Sequence, residues 1–583
     1  MSLIVQKFGG TSVETADLIR RAAGRAIAAR RRGHDVVMVV SARGKETDAL
    51  VRAAAELTDT PPAREIDALL STGEQASAAL MAMTLDELGQ PAVSLTGQQA
   101  GIATDAAHTK ARIARIDPEP IRRHLAEGRV VVVCGFQGVE PGGGITTLGR
   151  GGSDTTATAL AAALQADECE IYTDVVGVFT TNPKDVAAAR RMDRISYDEM
   201  LELASLGAGV LHGRSIEFAK KFAFPLRVRS SRDDGEGTLI GPAIGDARPV
   251  VGVALVPHEA LVTLDDIPDQ PGVIAGVFDR MAERKIAIDM VVQNVGRDGL
   301  ARVSFTVPDS ELAGALEAAG DAIDRIGGGR VSNRVGLAKI SAVGRGMASR
   351  SGVAAQMFRA LAEAGVNIEM ITTSEIKISA LIGKDAAKRA AETIHEVFAL
   401  HDPPAAAAGG TAESTPIDAA VARLVELEDI VVSDVALDRS QSLITLTNLP
   451  DEPGVVAGLL EAVAEAGVPV DMIVQNAGVD DRAAVSLTFP RDRFADCLGA
   501  LRELMESWPD ATSGSESAIA KLTVEGVGLR SHTDVGKLMF EAIATSGANV
   551  RMVATSEISV SAVIDDAAGE AAMAAVQAAF GMD

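Results

Sequence analysis

Asp269-Gln270-Pro271-Gly272-Val273 returns as Asp451-Glu452-Pro453-Gly454-Val455, and this echo decides the architecture of more than half the chain. Asp289-Met290-Val291-Val292-Gln293-Asn294 returns as Asp471-Met472-Ile473-Val474-Gln475-Asn476, and Thr373-Ser374-Glu375-Ile376 as Thr555-Ser556-Glu557-Ile558. All three displacements are 182 residues (269 to 451, 289 to 471, 373 to 555), so a whole segment was copied without net insertion. A weaker repeat lies inside each copy: Gly272 is followed by Gly352, and Asp289-Met290 by Glu369-Met370, both 80 residues on. The tail therefore reads as four related modules.

Each module shows a β-rich run, a Pro-Gly or Gly loop, and a helix with one buried stripe. Ile274, Val277, Phe278 and Met281 follow the i, i+3, i+4, i+7 spacing, as do Val456, Leu459, Leu460 and Val463. Two strands, a second helix and a last strand complete βαββαβ, a ferredoxin-like sandwich. The spacing predicts modules at 255–330, 335–402, 437–512 and 517–583. A Pro/Ala/Gly/Thr-rich linker is expected at 403–425.

Residues 1–245 instead alternate strands with helices. Val36 to Val40, Val130 to Cys134 and Glu170 to Tyr172 read as buried parallel strands of an α/β three-layer αβα domain. Lys and Arg number 55 against 80 Asp and Glu, a net charge of −25, which disfavours nucleic acid and anionic membrane surfaces as partners. Cys134, Cys169 and Cys497 form no metal-like cluster and suit a reducing compartment. Met1 to Val5 runs straight into a glycine turn and reads as a first strand, and no apolar run reaches membrane-spanning length. A cytoplasmic protein is expected.

Three segments of the head carry anion chemistry. Lys7-Phe8-Gly9-Gly10-Thr11-Ser12 ends the first strand with a cation and glycines that let backbone N–H groups approach an anion, without Walker spacing. Gly142 to Thr156 is a glycine loop with Arg150, running into cap-type residues Ser153, Asp154 and Thr155 at the start of an Ala-rich helix. Thr173-Asp174 through Phe179 to Lys184 follows a strand, where the carboxyl edge of a parallel sheet meets nucleotides. Ser71-Thr72-Gly73-Glu74 adds a carboxylate able to hold an ammonium group. Singly these have plainer readings, as a glycine turn, a surface loop or a helix cap.

Taken in chain order, with Ser71-Thr72-Gly73-Glu74 second, the motifs closely resemble the aspartate kinases of the amino-acid kinase family, and the tail resembles ACT domains, which sense amino acids. The resemblance implies transfer of the ATP γ-phosphoryl group to the side-chain carboxylate of L-aspartate. ATP is then the nucleotide, with magnesium carried on its phosphates and held by no protein side chain. Carried over by motif, Lys7, Gly10, Arg150 and Asp154 are catalytic; Ser41, Thr47, Glu74, Arg150 and Ser153 bind aspartate. Lys7, Phe8, Gly9, Gly10, Thr173, Asp174, Phe179, Lys184, Gly209 and Val210 meet ATP. Gly209 stands where the family usually has a nucleotide-contacting lysine, and Lys184 where arginine is usual. Arg214 lies near enough in sequence to Gly209 to compensate.

In the tail the resemblance places Asp269, Gly272, Ile274, Gln293 and Asn294 against an effector. Asn367, Ile368, Ser374 and Glu375 complete pockets from the paired module, and Gly454, Gln475, Asn476, Asn549, Ser556 and Glu557 are the second-copy equivalents. Lysine and threonine are the expected effectors, and a homodimer through the ACT modules is the expected assembly. The copies differ, since Glu369 becomes Arg551, so unequal sites are expected. Two alternatives stay open: a kinase of another carboxylate such as glutamate, and a sensor whose head binds nucleotide but turns over poorly.

Overall fold

Apolar runs with no polar face become central parallel strands, because helices cover both sides of them. In the computed structural model, which describes residues 2–206, 210–242, 248–295, 299–347, 350, 352–404, 427–479, 482–529 and 534–582, this holds for Asp35–Val40 and Val130–Cys134, and the more polar Leu3–Phe8 and Glu168–Thr173 lie beside them. They form the centre of an eight-stranded sheet. Leu3–Phe8 pairs in parallel with Asp35–Val40 on one side and Glu168–Thr173 on the other. Ala16–Arg31 and Ala63–Glu87 close one face around Phe8, Ile19, Met38 and Met81; Gly152–Leu164 and Gly213–Lys221 close the other around Val5, Leu160, Ile171 and Ile216. This is the three-layer head.

The tail is one continuous twelve-stranded sheet, and its modules are not laid end to end. Strand Gly252–Pro268 is shared. Its Leu261–Asp265 stretch pairs with Arg330–Arg334, whereas Gly252–Pro257 pairs with Ala338–Val343. The strand that closes the second unit therefore precedes the first unit; it does not follow the second unit's last helix, Ala387–Val397. The second copy repeats the device with Val431–Pro450 and Thr512–Val527. The boundaries expected near 330–335 and 512–517 fall inside the unbroken strands Arg330–Val343 and Thr512–Val527. Most of the expected linker lies outside the described residues.

Beyond the strands shared inside each copy, the outer strands of the units meet across the copies: Ile371 and Thr372 pair antiparallel with Gln475 and Val474. Gln475 donates through Nε2 to the Ile368 carbonyl at 3.1 Å. At the equivalent seam, Gln293 donates to the Val550 carbonyl at 2.8 Å. The first unit thus meets the fourth, and the second meets the third. Periodicity identifies a module but says nothing about which copy covers its open edge.

Candidate active site

The site sits where the central strands end. Lys7, next to last in the first strand, is buried and its ammonium is 2.6 Å from Asp154 Oδ1 in the first turn of Gly152–Leu164. A methyl on Gly9 would lie 3.5 Å from that ammonium, and one on Gly10 would meet the Ala42 carbonyl oxygen at 2.6 Å. Gly10 is therefore a place where only backbone fits, as an anion-cradling turn requires.

Ser71-Thr72-Gly73-Glu74 is not a helix cap. It lies in the middle of Ala63–Glu87. Gly73 lets this helix approach the loop after the second strand, since a Cβ there would meet Ala42 Cβ at 2.8 Å. Glu74 then accepts the Ala42 N–H through Oε1 at 3.0 Å. Its other oxygen has no hydrogen-bond partner among the described residues, and the side chain is 3% exposed. Burial pushes its carboxyl up to about 7 against the pull of the Ala42 N–H. A buried carboxylate with one idle oxygen is suited to receive a cation.

The glycine loop also differs in detail. Gly151, in the left-handed conformation at φ 70°, is the residue ahead of the helix, with no side-chain cap. Ser153, Asp154 and Thr155 lie inside the first turn, so the helix start is presented by backbone alone. Ser153 Oγ packs so closely on Gly135 that a Cβ there would lie 2.7 Å from it.

One cleft of about 1190 Å³ gathers Lys7, Gly10, Ser41, Thr47, Glu74, Arg150, Ser153 and Asp154. Lys110 and Arg112, in the loop between strands Ile102–Thr104 and Ile113–Ile116, and Phe136 also line it, and no motif marked them. Phe8 and Gly9 adjoin this cleft along the strand end. Thr173 ends the neighbouring strand and Asp174 follows it, with the Gly9 N–H donating to the Tyr172 carbonyl at 3.3 Å. Phe179 is half-buried, Lys184 is exposed, and Val210 is described, but none of the three lines the cleft. Gly209 lies outside the described residues. Arg214 is not free to replace a lysine there, because it holds Glu428, Leu148 and Ala111. Among the described residues no group of three or more His, Cys, Asp or Glu side chains converges to hold a metal ion.

A family model described as "Amino acid kinase family" matches residues 2–230, and one described as "ACT domain" matches 340–398 and 522–580. The aspartokinase of Geobacillus stearothermophilus is 49% identical over 408 residues, covering 70% of this chain and 99% of that protein. The chain belongs to the aspartate kinases. The structure of aspartate kinase from Synechocystis aligns over 100% of this chain and 98% of its own, with TM-score 0.52 and 40% identity. E. coli aspartokinase III, solved with aspartate and ADP, gives TM-score 0.59 and 27% identity over 68% of this chain and 99% of its own. It has also been solved with lysine and aspartate, matching at TM-score 0.53, 26% identity and the same coverage.

The candidate effector residues of this aspartate kinase separate into different parts of the tail. Asn549 donates to Asp269 Oδ1 at 2.7 Å and Arg551 Nη1 stands 3.3 Å from Asp269 Oδ2, while Gln293 donates to the Val550 carbonyl between them in sequence. Gly272 and Ile274 open the helix beside them, and the side chain of Asn294 lies outside the described residues. At the other seam Gly454 and Gln475 face Asn367 and Ile368, with Asn367 donating to Asp451 Oδ1 at 3.3 Å. Asn476, the next residue along the strand, is 1% exposed with neither amide atom hydrogen-bonded among the described residues, and it does not line the cavity around Gln475. Ser374 and Glu375 line a separate cavity of about 400 Å³ with Asp471 and Lys521. Ser556 caps its own turn against Ser559, and the Glu557 N–H donates to Glu202 of the head at 2.8 Å. Those last two do not face Gln475 or Asn476.

Proposed function

We propose that the head transfers the γ-phosphoryl group of ATP to the side-chain carboxylate of L-aspartate, giving 4-phospho-L-aspartate. The observation that carries this is the single cleft holding Lys7, Glu74 and Arg150 together. A carboxylate is already ionised near neutral pH, so the acceptor needs no general base. The obstacle is one anion meeting another, and position plus cations offset it. Glu74 receives the substrate ammonium, Arg150 clamps a carboxylate, and Ser41, Thr47 and Ser153 orient the molecule. Lys7 and the N–H groups at Gly9 and Gly10 stabilise the transferring phosphoryl group, and Asp154 aims Lys7. Phe8, Thr173, Asp174, Phe179, Lys184, Gly209 and Val210 belong to the nucleotide side. Magnesium, carried on the phosphates, would supply further charge neutralisation. A coupled ADP-release assay tests the reading: turnover is expected with aspartate and ATP and not with glutamate, and equal rates with both would sink the assignment.

All four tail units act as ACT modules, with lysine and threonine as effectors of the two seams. The seams differ in charge. Arg551 neutralises Asp269 at one, whereas at the other Glu369 lies near Asp451, and burial together with that carboxylate raises its pKa against the pull of Arg334. The second seam favours a cationic side chain. Glu369→Arg in the full chain is expected to weaken lysine binding by calorimetry about tenfold or more, the loss of a charged contact. An unchanged lysine isotherm would count against this assignment. A homodimer through the tail would form on a face of the sheet, because its outer strands Asp289–Val295 and Val550–Thr555 meet within the chain. No described helix is long and apolar enough to cross a membrane, and a cytoplasmic site fits three buried free cysteines.

A further inference from the structure

One wall of the catalytic cleft comes from the second copy of the tail. Leu427, Glu428, Asp429, Val527 and Gly528 line it together with Arg150. Glu428 stands just ahead of strand Val431–Pro450, and its carboxylate is fully used. Arg214 donates to it through Nη2 at 2.7 and 2.8 Å and through Nε at 3.2 Å, and the Ile113 N–H donates to Oε1 at 3.1 Å. The flanking backbone is pinned as well. The Leu427 N–H donates to the Ala114 carbonyl at 2.8 Å, and Lys221 Nζ donates to the carbonyls of Leu427 and Asp429 at 3.0 and 2.6 Å.

The pair is not a surface ion pair of small consequence, since the side chains of Arg214 and Glu428 are 16% and 9% exposed. Nor does the guanidinium end at Glu428. Its Nη1 donates to the Leu148 carbonyl at 2.6 Å and its Nη2 to the Ala111 carbonyl at 3.1 Å. Leu148 immediately precedes Gly149-Arg150-Gly151, a turn in which both glycines are left-handed, at φ 76° and 70°. A turn built on two glycines has little shape of its own, so its shape must be imposed by neighbours. The planar fork of an arginine held two-pronged by a carboxylate is such a neighbour.

We infer that Glu428 is a positioning residue for the aspartate subsite. It fixes the Arg214 guanidinium, which sets the turn carrying Arg150 through the Leu148 carbonyl, so the second copy of the tail completes the active site of the head. The inference rests on the aspartate-phosphorylating reading above. Its sequence separation, 214 residues between the two partners, explains why no motif announces it.

Steady-state kinetics on the full chain test it, with aspartate and ATP varied separately. Glu428→Ala is expected to raise KM for aspartate about tenfold, as loss of a charged hydrogen bond allows, while kcat and KM for ATP stay within about twofold. Glu428→Gln keeps one oxygen acceptor and is expected to shift KM for aspartate by only about threefold. Because the two residues act as one unit, adding Arg214→Met to Glu428→Ala is expected to cost less than about a further twofold. A contact that merely glued tail to head would lower the melting temperature and leave the ratio of the two KM values unchanged. An unaltered KM for aspartate in Glu428→Ala overturns the inference, as does fully additive behaviour with Arg214→Met. Should the alanine variant fail to fold, an unaltered KM for aspartate in Glu428→Gln overturns it equally. A wild-type chain with no aspartate-dependent turnover would instead sink the kinase reading, and this one with it.

Discussion

Lys7→Met is expected to lower kcat for aspartate phosphorylation about 100-fold, the equivalent of about 3 kcal/mol for a lost charged contact in the transition state. The same substitution has a second effect. Lys7 and Asp154 are paired at 2.6 Å with side chains 11% and 13% exposed. Removing one partner leaves a largely buried carboxylate alone, which costs about 3–5 kcal/mol of stability. The two consequences can be separated. Lys7→Met with Asp154→Leu removes both charges, and replacing a buried pair by apolar groups of similar size is often neutral for stability. The double variant is therefore expected to melt near wild type while its kcat stays low. If activity returned along with stability, Lys7 would be a structural cation and the phosphoryl-stabilising role would be lost.

That experiment probes the part of the molecule most legible in sequence. Lys7, Gly9 and Gly10 are nearly adjacent, so a cation and a turn open enough to approach an anion sit side by side in the sequence. Arg150 and its glycines are legible for the same reason: the chemistry is packed into one short segment. The Glu74 segment was visible as chemistry but not as structure, because a glycine in mid-helix looks like a terminus until Ala42 is seen pressing against it. The cap reading of Ser153 failed because a left-handed glycine can start a helix without a side-chain acceptor.

The tail divides similarly. Apolar spacing specified each helix and its buried stripe, and the 182-residue offset specified the duplication. Neither specified that Gln475 would reach Ile368, or that Asn549 would reach Asp269, since strand edges are satisfied by whichever backbone is brought alongside. Strand sharing was hidden for a related reason. Gly252–Pro268 is long enough to serve two units, and a bulge near His258 shifts its register between them. A sequence pattern of period two cannot say which neighbour each half will take.

Glu74→Gln is expected to change stability and binding in opposite directions. The folded carboxyl keeps its proton up to about 7, whereas its ordinary value is 4.5. The folded state therefore binds more protons between those values, and its stability falls as pH rises through that window. The span corresponds to about 3 kcal/mol of destabilisation, fully present above pH 7 and absent below about 4.5. A neutral amide carries no such penalty, so the ligand-free variant should melt higher than wild type at pH 8 and no higher at pH 4.5. Aspartate binding should suffer, because the substrate ammonium is what stabilises the ionised carboxylate in the wild type. KM for aspartate is expected to rise about 10- to 100-fold at pH 8, the loss of about 1.5–3 kcal/mol. In the wild type KM should also climb as pH falls below 7, where Glu74 takes up a proton and can no longer pair with the ammonium; in the variant that limb should be flat. Equal melting at pH 8 would mean the carboxylate is solvated well enough to ionise freely. A pH-dependent KM surviving in Glu74→Gln would assign the ammonium to another acceptor.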